Sequence, residues 1–321
     1  MSTAVLIPVS TQSVGFPVPV AEQAREYARR ARSAATIRAY KTDWADFEAW
    51  CARQPVSALP AAPETVACYI SSMADHSKAS TIQRRLSAIS QVHQVKGFEP
   101  PTKNEVVRSV LKGIRRTIGT APNEKAPLVA ADIREMVAGL PDRLIGKRDR
   151  ALLLLGFAGA FRRSELVGLN VEDLTFGEDG LVVLLRRSKT DQEAQGRKIG
   201  IPALPTSDAC PVRAVRAWLQ ASNITAGPLF RPVAVGGRLQ ATRLSDNAVA
   251  EVVKHRLPAG RDTAKFAGHS LRAGFITSAA DGGASIKSIM RQSGHRSLET
   301  VMRYIRSASL FKGNALGATG L

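Results

Sequence analysis

Cysteine is scarce in this 321-residue chain: Cys51, Cys68 and Cys210 lie far apart. They form no Cys-x-x-Cys pair and no even set, which argues against a disulfide framework or a zinc ribbon. Cys51 and Cys68 fall within apolar helical patterns and are expected in a core, in keeping with a reducing cytoplasm. Long apolar runs are missing too. The first twenty residues are apolar but carry no basic leader and are broken by Pro8, Pro17 and Pro19. That predicts a flexible tail over 1–20, neither a signal peptide nor a membrane span, and no other segment could cross a bilayer. Internal repeats and extended low-complexity tracts are absent. No acidic cluster has metal-ligand spacing, so neither metal nor cofactor is expected. Acidic residues are in deficit, 27 against 45 Lys and Arg, giving a net charge of +18. Such an excess calls for a polyanionic partner, of which nucleic acid is the usual one.

The excess is spread along the chain. Residues 1–127 carry roughly +7 and the remainder roughly +11, so both halves are suited to face phosphate. The length favours about two domains. From 21 to 118 the pattern is helical. Ile37, Tyr40, Trp44, Phe47 and Cys51 recur at helical spacing, with Ser33 as a candidate N-cap. Pro60 and Pro63 break the pattern before a helix through Val66, Tyr69, Ile70 and Met73. A third helix opens at Ala79 or Ser80 and carries Ile82, Leu86, Ile89 and Val92. A fourth holds Val106, Val107, Val110, Leu111 and Ile114. Residues 119–128 are polar, contain proline and lack periodicity, as a linker does. Beyond it, over 129–306, helices near Ala131 and from Ile145 to about Ala160 precede a strand at Leu181–Leu185. Polar residues 188–197 turn the chain back along Lys198–Ile201, with Lys189 beside the hairpin tip. Helices resume at Pro211–Gln220 and Asn247–His255. From His269 to Tyr304 they are almost continuous, punctuated by Gly282-Gly283 and Gly294.

Within this second region stand Arg162, Lys189, His269-Ser-Leu-Arg272, Gly294-His295 and Tyr304. A phosphodiester is an anion, so breaking it requires charge neutralisation, a nucleophile and a proton donor for the leaving oxygen. Arginine offers a planar fork of donors that stays charged. His269 and Arg272 lie one helical turn apart and project the same way. Glu165, three residues after Arg162, shares its helical face and could orient the guanidinium or a neighbouring imidazole. Taken singly, each of these residues has an ordinary structural reading: an exposed ion pair for Arg162 and Glu165, a half-buried core residue for Tyr304.

In combination the residues resemble the tyrosine recombinases of the phage-integrase family, with an arrangement closest to its Cre-like members. Ala-Phe-Arg162-Arg-Ser-Glu165-Leu is similar to the first arginine box. His269-Ser-Leu-Arg272 is similar to the second. Gly294-His295 and Val-Met-Arg-Tyr304-Ile-Arg resemble the C-terminal box. Ser33-Ala-Ala-Thr36 and Ser80-Thr81-Ile82-Gln83-Arg84 resemble the core-binding helices. Departures are Ala273, where many integrases have His, and His295 in a slot that is Trp in Cre but His in most relatives; an extra N-terminal arm-binding module is not expected.

The resemblance implies a mainly α fold. A helical, SAM-like core-binding bundle would be joined to a mixed α+β catalytic domain with a small antiparallel sheet, the two closing as a C-shaped clamp on DNA. It implies a site-specific recombinase working through a 3′-phosphotyrosyl intermediate and a Holliday junction. Tyr304 would be the nucleophile, Arg162 and Arg272 the phosphate holders, and Lys189 the acid, with Lys198 as the alternative. His269 would accept the tyrosine proton or tune the phosphate contact, His295 would donate to a phosphate oxygen, and Glu165 would support the site. Thr36, Arg38, Lys41, Ser80, Thr81, Gln83, Arg84, Arg85, Arg243 and Asn247 are the expected DNA contacts. Partners would be double-stranded DNA with inverted-repeat sites and a homotetramer. In that tetramer residues 307–321 would dock on a neighbour through Leu310, Phe311, Leu316 and Leu321. The setting would be the cytoplasm and nucleoid of a bacterium, with a phage or mobile element as a possible source. Two other readings remain: a type IB topoisomerase, against which Val-Met-Arg-Tyr304 in place of Ser-Lys-x-x-Tyr counts, and a DNA-binding protein that has lost catalysis.

Overall fold

The computed structural model describes residues 22–23, 26–27, 31–121, 125–186 and 196–308, with side chains as far as Ile305. The tail at 1–20, Lys189 and the terminal segment from 309 lie outside the described residues. Contacts divide the chain into two units, Met1–Asn123 and Glu124–Leu321.

The first unit is built from α1 (Ala34–Arg53), α2 (Pro63–Ser72), α3 (Ala79–Val95) and α4 (Glu105–Ile118), with a short 3-10 turn at Pro101–Lys103. Ser33 caps α1, its Oγ accepting the Thr36 N–H at 3.1 Å. Pro63 opens α2 at a position whose N–H would have no helical partner anyway. Asn104 caps α4 through the Val106 N–H at 2.9 Å. The helices close on one core, in which Trp44, Phe47, Tyr69, Ile70, Ile82 and Ile89 are buried. Cys51 is buried with them, but Cys68 is exposed, contrary to the expectation of two core cysteines. Val66, Tyr69 and Ile70 hold the inner face of α2, and Cys68 falls between them on the outer one.

His93 lies at the centre of this core and is fully buried. Its Nε2 accepts the Ala61 N–H at 2.9 Å and its Nδ1 lies 2.9 Å from the Ile89 carbonyl. A carbonyl only accepts, so the proton is on Nδ1 and the ring is neutral. Burial pushes its pKa down, against the opposing pull of the Ile89 carbonyl.

The second unit contains α5 (Ala130–Ala138), α6 (Leu144–Ala158), α7 (Arg163–Gly168), β1 (Leu174–Phe176), β2 (Gly180–Leu185), β3 (Arg197–Pro202), α8 (Pro211–Ser222), α9 (Asp246–His255), α10 (His269–Asp281), α11 (Ile286–Ser293) and α12 (Leu298–Ala308). The sheet is antiparallel in the order β1-β2-β3, with Val183 opposite both Leu174 and Ile199. It thus has one strand more than the hairpin read from sequence, because three residues carry too little alternation to signal a strand. Helix α6 runs through the core, with Leu152, Leu153, Leu155 and Gly156 all buried. Trp218 of α8 is fully buried and donates its Nε1–H to the Leu229 carbonyl at 2.9 Å. Truncating a core leucine such as Leu153 to Ala would cost about 2–5 kcal/mol.

Two backbone approaches position α10, which carries His269 and Arg272 at its start. Ala126 N–H donates to the Lys265 carbonyl at 2.8 Å and Leu128 N–H to the Ser270 carbonyl at 3.0 Å. Residues 126–128 therefore already belong to the packing of the second unit. Gly274 permits the approach: a Cβ there would sit 1.7 Å from the Leu128 carbonyl oxygen.

Candidate active site

The site is assembled where α6 ends. The chain leaves α6 through Gly159 and turns at Ala160, whose φ is +48°. That left-handed turn aims the Ala160 carbonyl at Arg272 Nη1, 2.7 Å away, and delivers Arg162 to the start of α7. Glu165 then holds Arg162 twice: Oε2 accepts the Arg162 backbone N–H at 2.8 Å and Oε1 the Arg162 Nη1 at 2.5 Å. The Glu165 side chain is only 2% exposed, so the pair is not the exposed ion pair of its ordinary reading.

Arg272 is completely buried. Burial, and then Arg162, lower its pKa to about 10, while Glu165 and Tyr304 pull it back up; it remains charged at neutral pH. Its Nη2 lies 3.1 Å from Nε2 and 3.2 Å from Nδ1 of His295. His295 is pushed down to about 3, first by burial and then by Arg272, Arg162, His269 and Arg197. It is therefore neutral without DNA.

Tyr304 is carried by α12, which docks through Val301 onto Ile276 of α10 and Ile289 of α11, with Tyr304 and Ile305 packed against that cluster. The Tyr304 hydroxyl lies 3.1 Å from His269 Nε2. Its ring centroid is 6.0 Å from that of His295. Six of the seven residues expected at the site thus form three contacting pairs, Arg162–Glu165, His269–Tyr304 and Arg272–His295, with the His295 and Tyr304 rings 6.0 Å apart. The seventh, Lys189, lies outside the described residues. The alternative lysine, Lys198, is exposed on β3.

A further arginine was not anticipated. Arg197, the first residue of β3, donates from Nη1 to the carbonyls of Arg291 (2.8 Å) and Gln292 (2.9 Å) at the end of α11. Those carbonyls form the negative end of the helix and suit a cation. Burial lowers the Arg197 pKa, Glu165 opposes this and Arg162 adds to it. Its position at the end of a polar turn made it look like a loop residue. Strand alternation turns Lys198 to the opposite face of β3 from Arg197.

The expected DNA contacts are spread more widely. Arg38, Ser80, Gln83 and Arg84 are exposed, and Thr36, Lys41 and Thr81 half-buried. Arg84 is held to Asp43 at 2.7 Å, and Gln83 accepts from Arg115 at 2.9 Å. Arg85 is half-buried, bonded to Asp46 and, at 2.5 Å, to the Tyr69 hydroxyl. In the second unit Asn247 is exposed. Arg243 closes the end of α7, donating to the Val167 carbonyl (2.6 Å), the Leu169 carbonyl (3.0 Å) and Asn170 Oδ1 (2.6 Å). Among the described residues, no group of three or more His, Cys, Asp or Glu could hold a metal ion. No helix among them is long and apolar enough to cross a membrane.

Residues 128–310 match the phage integrase family, and residues 26–97 match the phage integrase N-terminal SAM-like domain. The integrase/recombinase xerD homolog of Selenomonas ruminantium is 44% identical over 300 residues, covering 92% of this chain and 88% of that protein. The recombinase cre of Escherichia phage P1 is 25% identical over 281 residues, covering 81% and 80%. In fold, the chain is similar to the XerH site-specific recombinase bound to a palindromic difH substrate in a post-cleavage complex. The TM-score is 0.62 at 15% identity, covering 91% of this chain and 82% of that one. The site, the helical bundle ahead of it and these likenesses agree: the chain belongs to the phage integrase family and is a site-specific tyrosine recombinase, an enzyme that breaks and rejoins DNA.

Proposed function

We propose that recombination proceeds by two successive transesterifications at the site centred on Tyr304. The Tyr304 oxygen attacks the scissile phosphorus and the bond from phosphorus to the 5′-oxygen breaks, leaving a 3′-phosphotyrosyl link. The tyrosine proton passes to His269, and the departing 5′-oxygen takes a proton from Lys189. The observation that carries this reading is the 3.1 Å approach of Tyr304 Oη to His269 Nε2 beside two arginines, within reach for proton transfer. A covalent intermediate divides one difficult exchange into two reversible steps and conserves the bond for rejoining.

Arg162 and Arg272 bind the non-bridging oxygens and stabilise the charge that grows in the transition state. Buried Glu165 keeps Arg162 in place. His295 gives a further hydrogen bond to phosphate. The assignment of the acid to Lys189 over Lys198 is supported by the strand alternation that turns Lys198 away from Arg197. The exposed Arg38, Ser80, Gln83, Arg84 and Asn247, with Thr36, Lys41 and Thr81, are the candidates for groove and phosphate contacts. Arg85, half-buried and bonded to Asp46 and the Tyr69 hydroxyl, serves chiefly to hold its own unit, whereas Arg84 and Arg243 are exposed and each already has a protein partner that a phosphate would have to share.

Two strand exchanges need four such sites, hence a tetramer on paired inverted-repeat sites that passes through a Holliday junction. A cavity of about 520 Å³ in the second unit is lined by Leu154, Phe157, Ile201, Leu204, Phe275 and Ile289. It suits the apolar residues of a neighbour's terminal segment, Leu310, Phe311, Leu316 and Leu321. To test the whole reading, the protected DNA site is mapped and two copies are placed on a supercoiled plasmid. Recombinant products that require both sites support it. Relaxation without site preference would point to topoisomerase activity instead.

A further inference from the structure

Ser293 is fully buried at the end of α11, two residues before His295. Its Oγ lies 2.7 Å from the Ile289 carbonyl and 2.8 Å from His295 Nδ1. A hydroxyl has one proton, and a carbonyl can only accept. At 2.7 Å that proton must point to Ile289, since two lone pairs would otherwise face each other. The same oxygen then has only lone pairs to offer Nδ1, so Nδ1 must carry a proton. Arg272 Nη2 lies almost equally far from both ring nitrogens, 3.1 Å from Nε2 and 3.2 Å from Nδ1, so it stands over the ring and its charge favours the neutral imidazole without choosing between the nitrogens. The Ser293 contacts therefore select one arrangement: neutral His295 with its proton on Nδ1.

We propose that Ser293 is a positioning residue for the reaction: it fixes the tautomer of His295 and turns the Nε2 lone pair toward the arginine-lined site. This rests on the reading of His295 as a phosphate-contacting group. The groups that face the ring are Arg272 and His269 on α10, Arg162 ahead of α7, Arg197 on β3 and Tyr304 on α12. The three arginines and His269 disfavour a second proton on it until an anion arrives. Once a DNA phosphate sits among them, Nε2 takes up a proton and donates it as a hydrogen bond. Nδ1–H stays on Ser293 throughout, so the ring does not turn. The tautomer is set by the partner of the other nitrogen, as imidazoles at catalytic sites commonly are.

The test is a long-range proton–nitrogen correlation spectrum of the full chain labelled with nitrogen-15 histidine, DNA-free at pH 7. His295 is assigned by the signal lost in His295→Gln. The expected pattern is a protonated Nδ1 and a bare Nε2, the same as that of buried His93. Ser293→Ala should mix the tautomers and slow single-turnover strand cleavage about tenfold or more, with single-site DNA binding unchanged. Ser293→Thr, which keeps the hydroxyl, should restore both signals. A His295 protonated on Nε2 in the unmodified protein overturns the proposal, even if the alanine variant fails to fold. So does a Ser293→Ala protein with unaltered tautomer and rate. Either result leaves Tyr304 cleavage standing, whereas loss of all Tyr304-dependent cleavage in the parent protein would remove the reading on which the proposal rests.

Discussion

Arg197 lies directly against Gly294: a Cβ at Gly294 would stand 2.7 Å from the guanidinium carbon. Gly294 also has φ +69° and ends α11. One glycine thus both turns the chain toward His295 and admits the arginine that closes α11. The β2–β3 sheet is fastened in this way to the segment that carries His295.

Replacing Gly294 by Ala strains a left-handed residue and displaces Arg197. The expected cost is about 1–3 kcal/mol in stability, with strand cleavage slowed at least about tenfold. Denaturant unfolding and single-turnover cleavage measure the two effects. Full activity in Gly294→Ala would show that the Arg197 contact is dispensable.

Glu165→Ala removes the acceptor of both the Arg162 backbone N–H and its guanidinium. Breaking a buried pair on one side costs about 3 kcal/mol, and cleavage should fall with it. Glu165→Gln keeps an acceptor for the N–H and should lie between the two. Urea unfolding of the three proteins, compared with their cleavage rates, checks the order.

His93 and His295 are both held neutral, with pKa values below those of free histidine. An unfolded chain binds the protons that the folded one refuses. Stability contributed by these groups is present above the unfolded value of about 6.5 and is lost as pH falls below it. The slope approaches 1.4 kcal/mol per pH unit for each. Urea unfolding between pH 7 and 5 should show this loss, and His93→Leu should reduce its slope. A flat profile would contradict the assigned neutral states.

Removing residues 307–321 should weaken synapsis and recombination far more than binding to a single site. Mobility-shift titration on one site and on paired sites measures both. Equal recombination by the shortened protein would exclude a role for the segment in assembly.

Much of this architecture was legible because it rests on periodicity and on chemically distinctive residues. The face of α1 from Trp44 to Cys51 follows helical spacing, and Arg162, His269-x-x-Arg272 and Gly294-His295 are recognised by their joint order and their resemblance to the integrase boxes, since each signal alone is weak. What was illegible depends on tertiary contacts. Cys68 counts as a core residue by its apolar type, but it lies on the exposed face of α2 with Glu64, Ser71 and Ser72. Arg197 acquires its partners only when β3 meets the end of α11. Ser293 resembles any small helical residue until its neighbours, Ile289 and His295, are seen in space. The arginines expected to contact DNA are identified by their place on helices that resemble the family's core-binding helices or, for Arg243, beside a helix start, which does not reveal that Arg84 and Arg243 already have partners within the protein.

The central claim is that Tyr304 is the nucleophile. The most direct test is to trap the enzyme on a nicked suicide substrate carrying its mapped site, and to identify the adduct by peptide mass. The account predicts a 3′-linked DNA adduct on the peptide that contains Tyr304, absent from Tyr304→Phe. An adduct on another residue, or one that survives Tyr304→Phe, would contradict it.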